Sequence, residues 1–206
     1  MKKFVLVAAT ALTLSACSSV GGEGGGFGLY TAVPVRPVNV GNGSMTVIPP
    51  RAWNKQRRLF FDDVPYVEDW TLNGPLLDDM MFIAGLPDRR TLVRQRSSDS
   101  QQVPMFRSNM TAPEIVSMLE SAYRVRGGAV DFKTLALAPR QFLGVNGFQL
   151  DFEHLDSDEL WRRGRAVGAV VNGRLYLIML DAARSHYYAD TLRDFEAMAA
   201  SARLRR

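Results

Sequence analysis

Across 206 residues the chain carries 25 lysines and arginines against 21 aspartates and glutamates, with 47% hydrophobic side chains and one cysteine. Loss of Lys2 and Lys3 with an N-terminal signal leaves the charge nearly balanced, so the isoelectric point near 9.5 gives no footprint for nucleic acid. Those two lysines precede an apolar run from Phe4 to Leu14. The run is too short for a permanent helix across a bilayer, which needs roughly 20 residues. Basic residues, a short apolar stretch and then small residues are the layout of a secretory signal peptide, here 1–16.

The signal ends in Leu14-Ser15-Ala16-Cys17. This stretch resembles the lipobox of bacterial lipoproteins. The resemblance implies that the signal is cut before Cys17, that the thiol is diacylated and that the new amine takes a further acyl chain such as palmitate. Buried acyl carbon contributes about 0.8 kcal/mol per methylene, and more than one chain makes a membrane anchor stable. The resemblance also implies the outer membrane, with the domain facing the periplasm, because Ser18 and not an aspartate follows the cysteine. Inner-membrane retention is the alternative. With Cys17 acylated no free thiol remains, which removes disulfides, thiolate catalysis and zinc–thiolate sites.

Glycine-rich SSVGGEGGGFGL and proline-containing YTAVPVRPVNVGNG continue the chain, so 17–42 reads as the lipidated cysteine and its tether. From Ser18 to Gly41 a flexible chain spans roughly 25–30 Å. The glycines lack the G-x-x-x-x-G-K-S/T pattern of a phosphate loop. Residues 43–206 read as a single domain. SMTVIPP is a short strand ended by Pro49-Pro50. YVEDWTLNG and PLLDDMMFIAGL form a hairpin candidate over 66–85, closed by the polar strand tail and loop RRTLVRQRSSDSQQVPMF. SNMTAPEIVSMLESAYRVRGG predicts a helix. Thr111 caps it with Glu114 in the capping-box position, Ile115, Met118, Leu119 and Ala122 share one face, and Gly127-Gly128 stops it.

DFKTLALAP, FQLDFEH and RRGRAVGAVVNGRLYLIMLDA predict further strands, and Asn172-Gly173 favours a two-residue type I′ turn. Leu175, Leu177 and Met179 oppose Tyr176, Ile178 and Leu180, so this strand is apolar on both faces and therefore central. YYADTLRDFEAMAASARL predicts the last helix. Tyr188, Leu192, Phe195, Met198 or Ala199, and Ala202 point inward; Asp190, Arg193, Asp194 and Glu196 point to water. The expected fold class is α+β, an antiparallel sheet with helices on one or both faces. The element order, the tail GRAVGAVVNGRLYLIMLDAARSHYYADTLRDFEAMAASARL and the opening MTVIPPRAWN resemble the PsbP-like fold of extrinsic photosystem subunits and a nuclear-import factor. That resemblance implies an α-β-α layered domain in an accessory, protein-binding role, and it carries over no catalytic residue.

Chemistry-bearing side chains are few. His154 shares strand parity with Phe148, Leu150 and Phe152 and reads as a structural histidine at a strand end. DFEHLDSDE concentrates carboxylates, which makes Asp156 and Asp158 weak metal candidates, but calcium-loop spacing is lacking and a solvated turn is expected. Ser185 beside His186 is no nucleophilic pair, because sequence neighbours point apart and no G-x-S-x-G elbow surrounds them. Asp62-Asp63 and Asp78-Asp79 read as turn and strand-end charges, and no catalytic residue, metal or cofactor is assigned. Two of the three tryptophans belong in the core. Trp161, with Arg162, Arg163, Arg165, Arg184 and His186, is the candidate protein- or lipid-contacting patch, an envelope protein being the expected partner.

The leading expectation is thus a lipid-anchored, non-enzymatic accessory protein. The alternative is a small-ligand-binding or hydrolytic lipoprotein that uses a cleft between sheet and helix. An enzyme needs polar groups converging in a pocket, whereas a binding module shows an exposed apolar patch with an arginine rim.

Overall fold

The computed structural model describes residues 29–57, 64–95, 101–126 and 128–205. The signal peptide, Cys17 and Asp62-Asp63 lie outside the described residues. In chain order the elements are β1 (Tyr30–Val33), β2 (Val38–Val40), β3 (Met45–Val47), β4 (Trp53–Gln56), β5 (Val67–Thr71), β6 (Asp78–Leu86) and α1 (Ala112–Arg126). Then follow β7 (Asp131–Phe142), β8 (Val145–Leu155), β9 (Trp161–Val171), β10 (Arg174–Ala183), α2 (Tyr187–Ser201) and β11 (Arg203–Leu204). The expected tether boundary at 42 is corrected, since β1 and β2 fall inside that stretch. Its prolines, Pro34 and Pro37, sit between the two strands, where neither removes a ladder N–H.

Every strand pairing is antiparallel. The main sheet runs β1-β4-β5-β6-β10-β9-β8-β7, and β11-β3-β2 form a smaller one. At the centre, Asn172 (φ 50°) and Gly173 (φ 73°) take the left-handed backbone of the two-residue turn joining β9 to β10. The two apolar faces of β10 enter two separate cores. Leu175, Leu177 and Met179 pack in one core with Ile115, Met118 and Leu119 of α1. Tyr176, Ile178 and Leu180 pack in the other with Phe195 and Met198 of α2 and with Val40, Met45 and Val47 of the small sheet. Each fully buried side chain of this kind contributes about 1.5–3 kcal/mol. The expected layering is observed with a helix on each face.

Both helices begin and bury as their sequences dictate, with informative exceptions. Glu114 Oε2 accepts from the Thr111 N–H at 2.6 Å and its hydroxyl at 2.7 Å, the reciprocal arm of a capping box. In α2 the buried stripe includes Asp194, expected toward water. Its Oδ2 accepts from the Trp53 indole N–H at 3.1 Å and from Arg51, so the charge is neutralised where it is buried. Glu196, also expected outward, is half-buried because Arg140 and Arg165 reach it from β7 and β9 at 2.6 and 2.9 Å.

Two features of this framework position the candidate sites. Helix α1 lies against β7 and β8 and leaves much of β5 and β6 on the same face for an open cavity. Register also divides the sheet into two rims. Trp161, Leu155, Asp131, Ala183 and Asp78 mark one rim. The 172–173 turn lies at the other.

Candidate functional site

Strand parity sorts the candidate residues of β9 onto opposite faces. Trp161, Arg163 and Arg165 face the α2 side; Arg162 faces the α1 side with Ala166. On the α2 side, half-buried Trp161 stands between two cations. Lys133 Nζ of β7 lies 4.8 Å from the centre of its ring and the Arg184 guanidinium 5.3 Å from it. Each such contact contributes about 0.5–1 kcal/mol at an exposed site. Glu153 of β8 partners Arg184 at 3.5 Å. Arg163 is exposed, 5.2 Å from the Tyr188 ring, and exposed His186 stands edge-on to Tyr187 at 5.3 Å. Leu76 and Val130 at this rim are 72% and 64% exposed. The rim therefore combines an aromatic face, apolar tips and cations.

Arg162 and Arg165 are not part of that surface. Arg165 is held at 2.6 Å by Asp151 and at 2.9 Å by Glu196, and these hydrogen bonds raise its pKa above the ordinary guanidinium value. Arg162 is buried and must be dropped as a contact residue, because its odd-numbered neighbours take the exposed side. Its Nε donates to Asp181 Oδ1 at 3.0 Å, its Nη2 to the Asp181 carbonyl at 3.0 Å and its Nη1 to the Leu76 carbonyl at 2.6 Å.

Asp181 is the hub of this second, internal site. Its Oδ2 also takes the Tyr123 hydroxyl at 3.1 Å and faces His154 Nε2 at 3.0 Å. Burial alone would raise the Asp181 pKa, but the His154 hydrogen bond and the Arg162 charge outweigh it and hold the group below its ordinary 3.8. Burial and the Asp181 and Asp79 charges push the Tyr123 hydroxyl well above 10.0. The His154 ring is stacked on Phe152 at 6.2 Å and tilted against Tyr123 at 4.9 Å. The expected structural histidine is satisfied on one nitrogen; Nδ1 has no hydrogen-bond partner among the described residues.

This cluster forms one end of a cavity of about 770 Å³ between the sheet and α1, whose apolar lining includes Val67, Met81, Leu119, Ala122 and Met179. Polar groups do converge here, yet Asp181, Arg162 and Tyr123 are committed to one another. Asp156, a weak metal candidate, accepts from the N–H groups of Asp158 and Leu160 and so shapes its own turn. Among the described residues, no three His, Cys, Asp or Glu side chains are grouped to hold a metal. Asp78, read as a strand-end charge, is fully buried and takes the Thr71 hydroxyl and the N–H groups of Leu72 and Asn73, which fixes the β5–β6 connection.

A sheet clad by a helix on each face, with a cation-bracketed tryptophan at one rim, defines an α-β-α layered module. The solution structure of cyanobacterial PsbP (CyanoP) from Synechocystis sp. PCC 6803 is similar to it at a TM-score of 0.55 and 16% identity, covering 89% of this chain and 98% of that one. The fold is accordingly the PsbP-like architecture. Weaker likenesses are the Ran-binding protein Mog1p of Saccharomyces cerevisiae (TM-score 0.49, 8% identity, 82% and 94% covered) and LpqN of Mycobacterium tuberculosis, described as involved in cell envelope biogenesis (0.43, 11%, 86% and 92%). The chain matches no protein-family model and no curated sequence.

Proposed function

We propose that the chain is a lipid-anchored accessory protein of the cell envelope that binds an acidic surface of another envelope protein through the Trp161 rim, without catalysing a reaction. The observation that carries this reading is the half-buried Trp161 ring with Lys133 and Arg184 both over it, at a rim that also exposes Leu76 and Val130. A rigid aromatic flanked by cations is the composition of an interface hot spot. The neutralised Asp181 cluster favours binding over a hydrolytic cleft, because its carboxylate, guanidinium and phenol are engaged with one another.

Anchorage at Cys17 belongs to the same reading. Between Cys17 and Leu29 a glycine-rich linker spans about 20 Å. The same reading places the anchor in the outer membrane with the domain in the periplasm. Cys17→Ser is expected to move the protein from the membrane to the soluble fraction; retention in the membrane pellet would exclude the anchor. Trp161→Ala is expected to reduce recovery of the partner after crosslinking in cells by about tenfold, equivalent to 1.4 kcal/mol. Undiminished recovery from a folded variant would refute the rim as the contact.

A further inference from the structure

We infer that β7 is a strand-addition site, whose outer edge takes an extended apolar segment of the envelope partner. This deepens the partner-binding reading of the rim and rests on it. Strand β7 is the last in the order of the main sheet, and among the described residues no strand pairs with its outer side. Such an edge presents unpaired N–H and C=O groups and is a template for another chain. From Lys133 to Pro139 every residue is exposed, and Leu135-Ala136-Leu137-Ala138-Pro139 is an unbroken apolar run. Leu135 and Leu137 are 45% and 37% exposed. A run of that kind on an open strand marks a contact surface. The charges that could guard this edge are committed elsewhere. Lys133 pairs with Asp131 at 3.0 Å and lies over Trp161, and Arg140 reaches Gln149 and Glu196.

Register identifies the groups that await the partner. Leu143 (φ 52°) and Gly144 (φ 80°) form a two-residue turn, so Phe142 and Val145 close the ladder as a hydrogen-bonded pair. Bonded and non-bonded residues alternate along an antiparallel pair. Arg140, Ala138 and Ala136 therefore bond inward to β8, whereas Gln141, Pro139 and Leu137 direct their backbone groups outward. Pro139 fits this assignment, since its missing N–H falls on the open side and costs the β7–β8 ladder nothing. An incoming strand accepts from the Leu137 and Gln141 N–H groups and donates to the carbonyls of all three residues. A second copy of this chain is the poorer occupant. Two copies paired over the same three residues would set Pro139 opposite itself, with no donor on either strand. Leu137 and Pro139 share the face of Leu150 and Phe148, so apolar side chains of the partner meet an apolar surface there. Past the bulge at Leu135 the edge leads to Lys133 over Trp161 and to exposed Val130 at the rim. An extended apolar segment flanked by a carboxylate fits both stretches.

Crosslinking in intact cells with outward-facing proline variants tests the site. A photoreactive phenylalanine at position 135 is expected to form an adduct with the same envelope protein that position 163 captures. Leu137→Pro removes an outward N–H and leaves the β8 ladder whole, as native Pro139 does, so the variant is expected to fold. It should lower the adduct roughly fivefold, the worth of about one backbone hydrogen bond. Leu137→Ala keeps the N–H and should lower the adduct less. Gln141→Pro, at the other outward N–H, repeats the test if Leu137→Pro does not fold. An adduct undiminished by a folded proline variant, one lowered equally by Leu137→Ala, or one at the mass of a second copy would overturn strand addition. An adduct from position 163 with none from 135 would overturn it and leave the rim reading standing; none from either position would remove both.

Discussion

Asp181→Ala is expected to destabilise the domain by about 3–5 kcal/mol, the cost of leaving a buried guanidinium without its counter-charge. Arg162 is 6% exposed and cannot turn to water without leaving the Leu76 and Asp181 carbonyls. His154 Nε2 and the Tyr123 hydroxyl lose their acceptor in the same substitution. Urea unfolding followed by tryptophan fluorescence measures the loss. Removing both charges in Asp181→Leu with Arg162→Met should cost far less, since no uncompensated ion is left behind. A double variant as unstable as Asp181→Ala would show that packing, not charge compensation, governs the cluster. The same pair makes an acid prediction. Asp181 titrates below 3.8 in the folded state, so its contribution is complete above that pH and is lost as pH falls through the folded value. The stability gap between the native chain and Asp181→Ala should therefore narrow below about pH 4.

Trp70→Ala is expected to cost a similar amount, about 3–5 kcal/mol, by emptying the centre of the core beneath α2 and the small sheet. The Trp70 ring is 1% exposed and packs 4.5 Å from Phe82. Its indole N–H also donates to Glu68 Oε1 at 2.7 Å. Glu68 is itself buried and receives the Gly41 N–H at 3.0 Å and Lys55 Nζ at 2.8 Å. Trp70→Phe separates the two roles. It keeps most of the packing and leaves one carboxylate oxygen short of a donor, a loss of about 1–3 kcal/mol. Thermal unfolding of the two variants checks the order, and a Phe variant as unstable as Ala would place the weight on the hydrogen bond.

The periodic parts of the fold were legible in the sequence because local chemistry dictates them. The two-faced apolarity of Leu175–Leu180 required cover on both sides, and α2 and α1 provide it. Asn172-Gly173 and the Thr111–Glu114 box lie where turn and cap chemistry require. What escaped detection depends on contacts distant in sequence. Asp194 and Glu196 looked solvent-facing because Arg51, Arg140 and Arg165, which neutralise them, come from other strands. Lys133 joins Trp161 only through the register of β7, β8 and β9. Parity, by contrast, was available for two residues that were misplaced or overlooked. Arg162 alternates with Trp161 and Arg163, and Asp181 continues the Leu177–Met179 face, so a buried Arg–Asp pair was readable from the α1-side pattern alone. The strands within 30–40 were hidden by the glycines and prolines around them.

Photo-crosslinking in intact cells tests the central proposal most directly. A photoreactive phenylalanine at position 163, exposed beside Trp161, is compared with one at position 172, exposed in the turn at the opposite rim. A discrete adduct with an envelope protein is expected from position 163 and not from 172, and Trp161→Ala should diminish it. Equal adducts from both positions, or none from 163 in the folded, membrane-attached protein, would contradict a partner-binding rim.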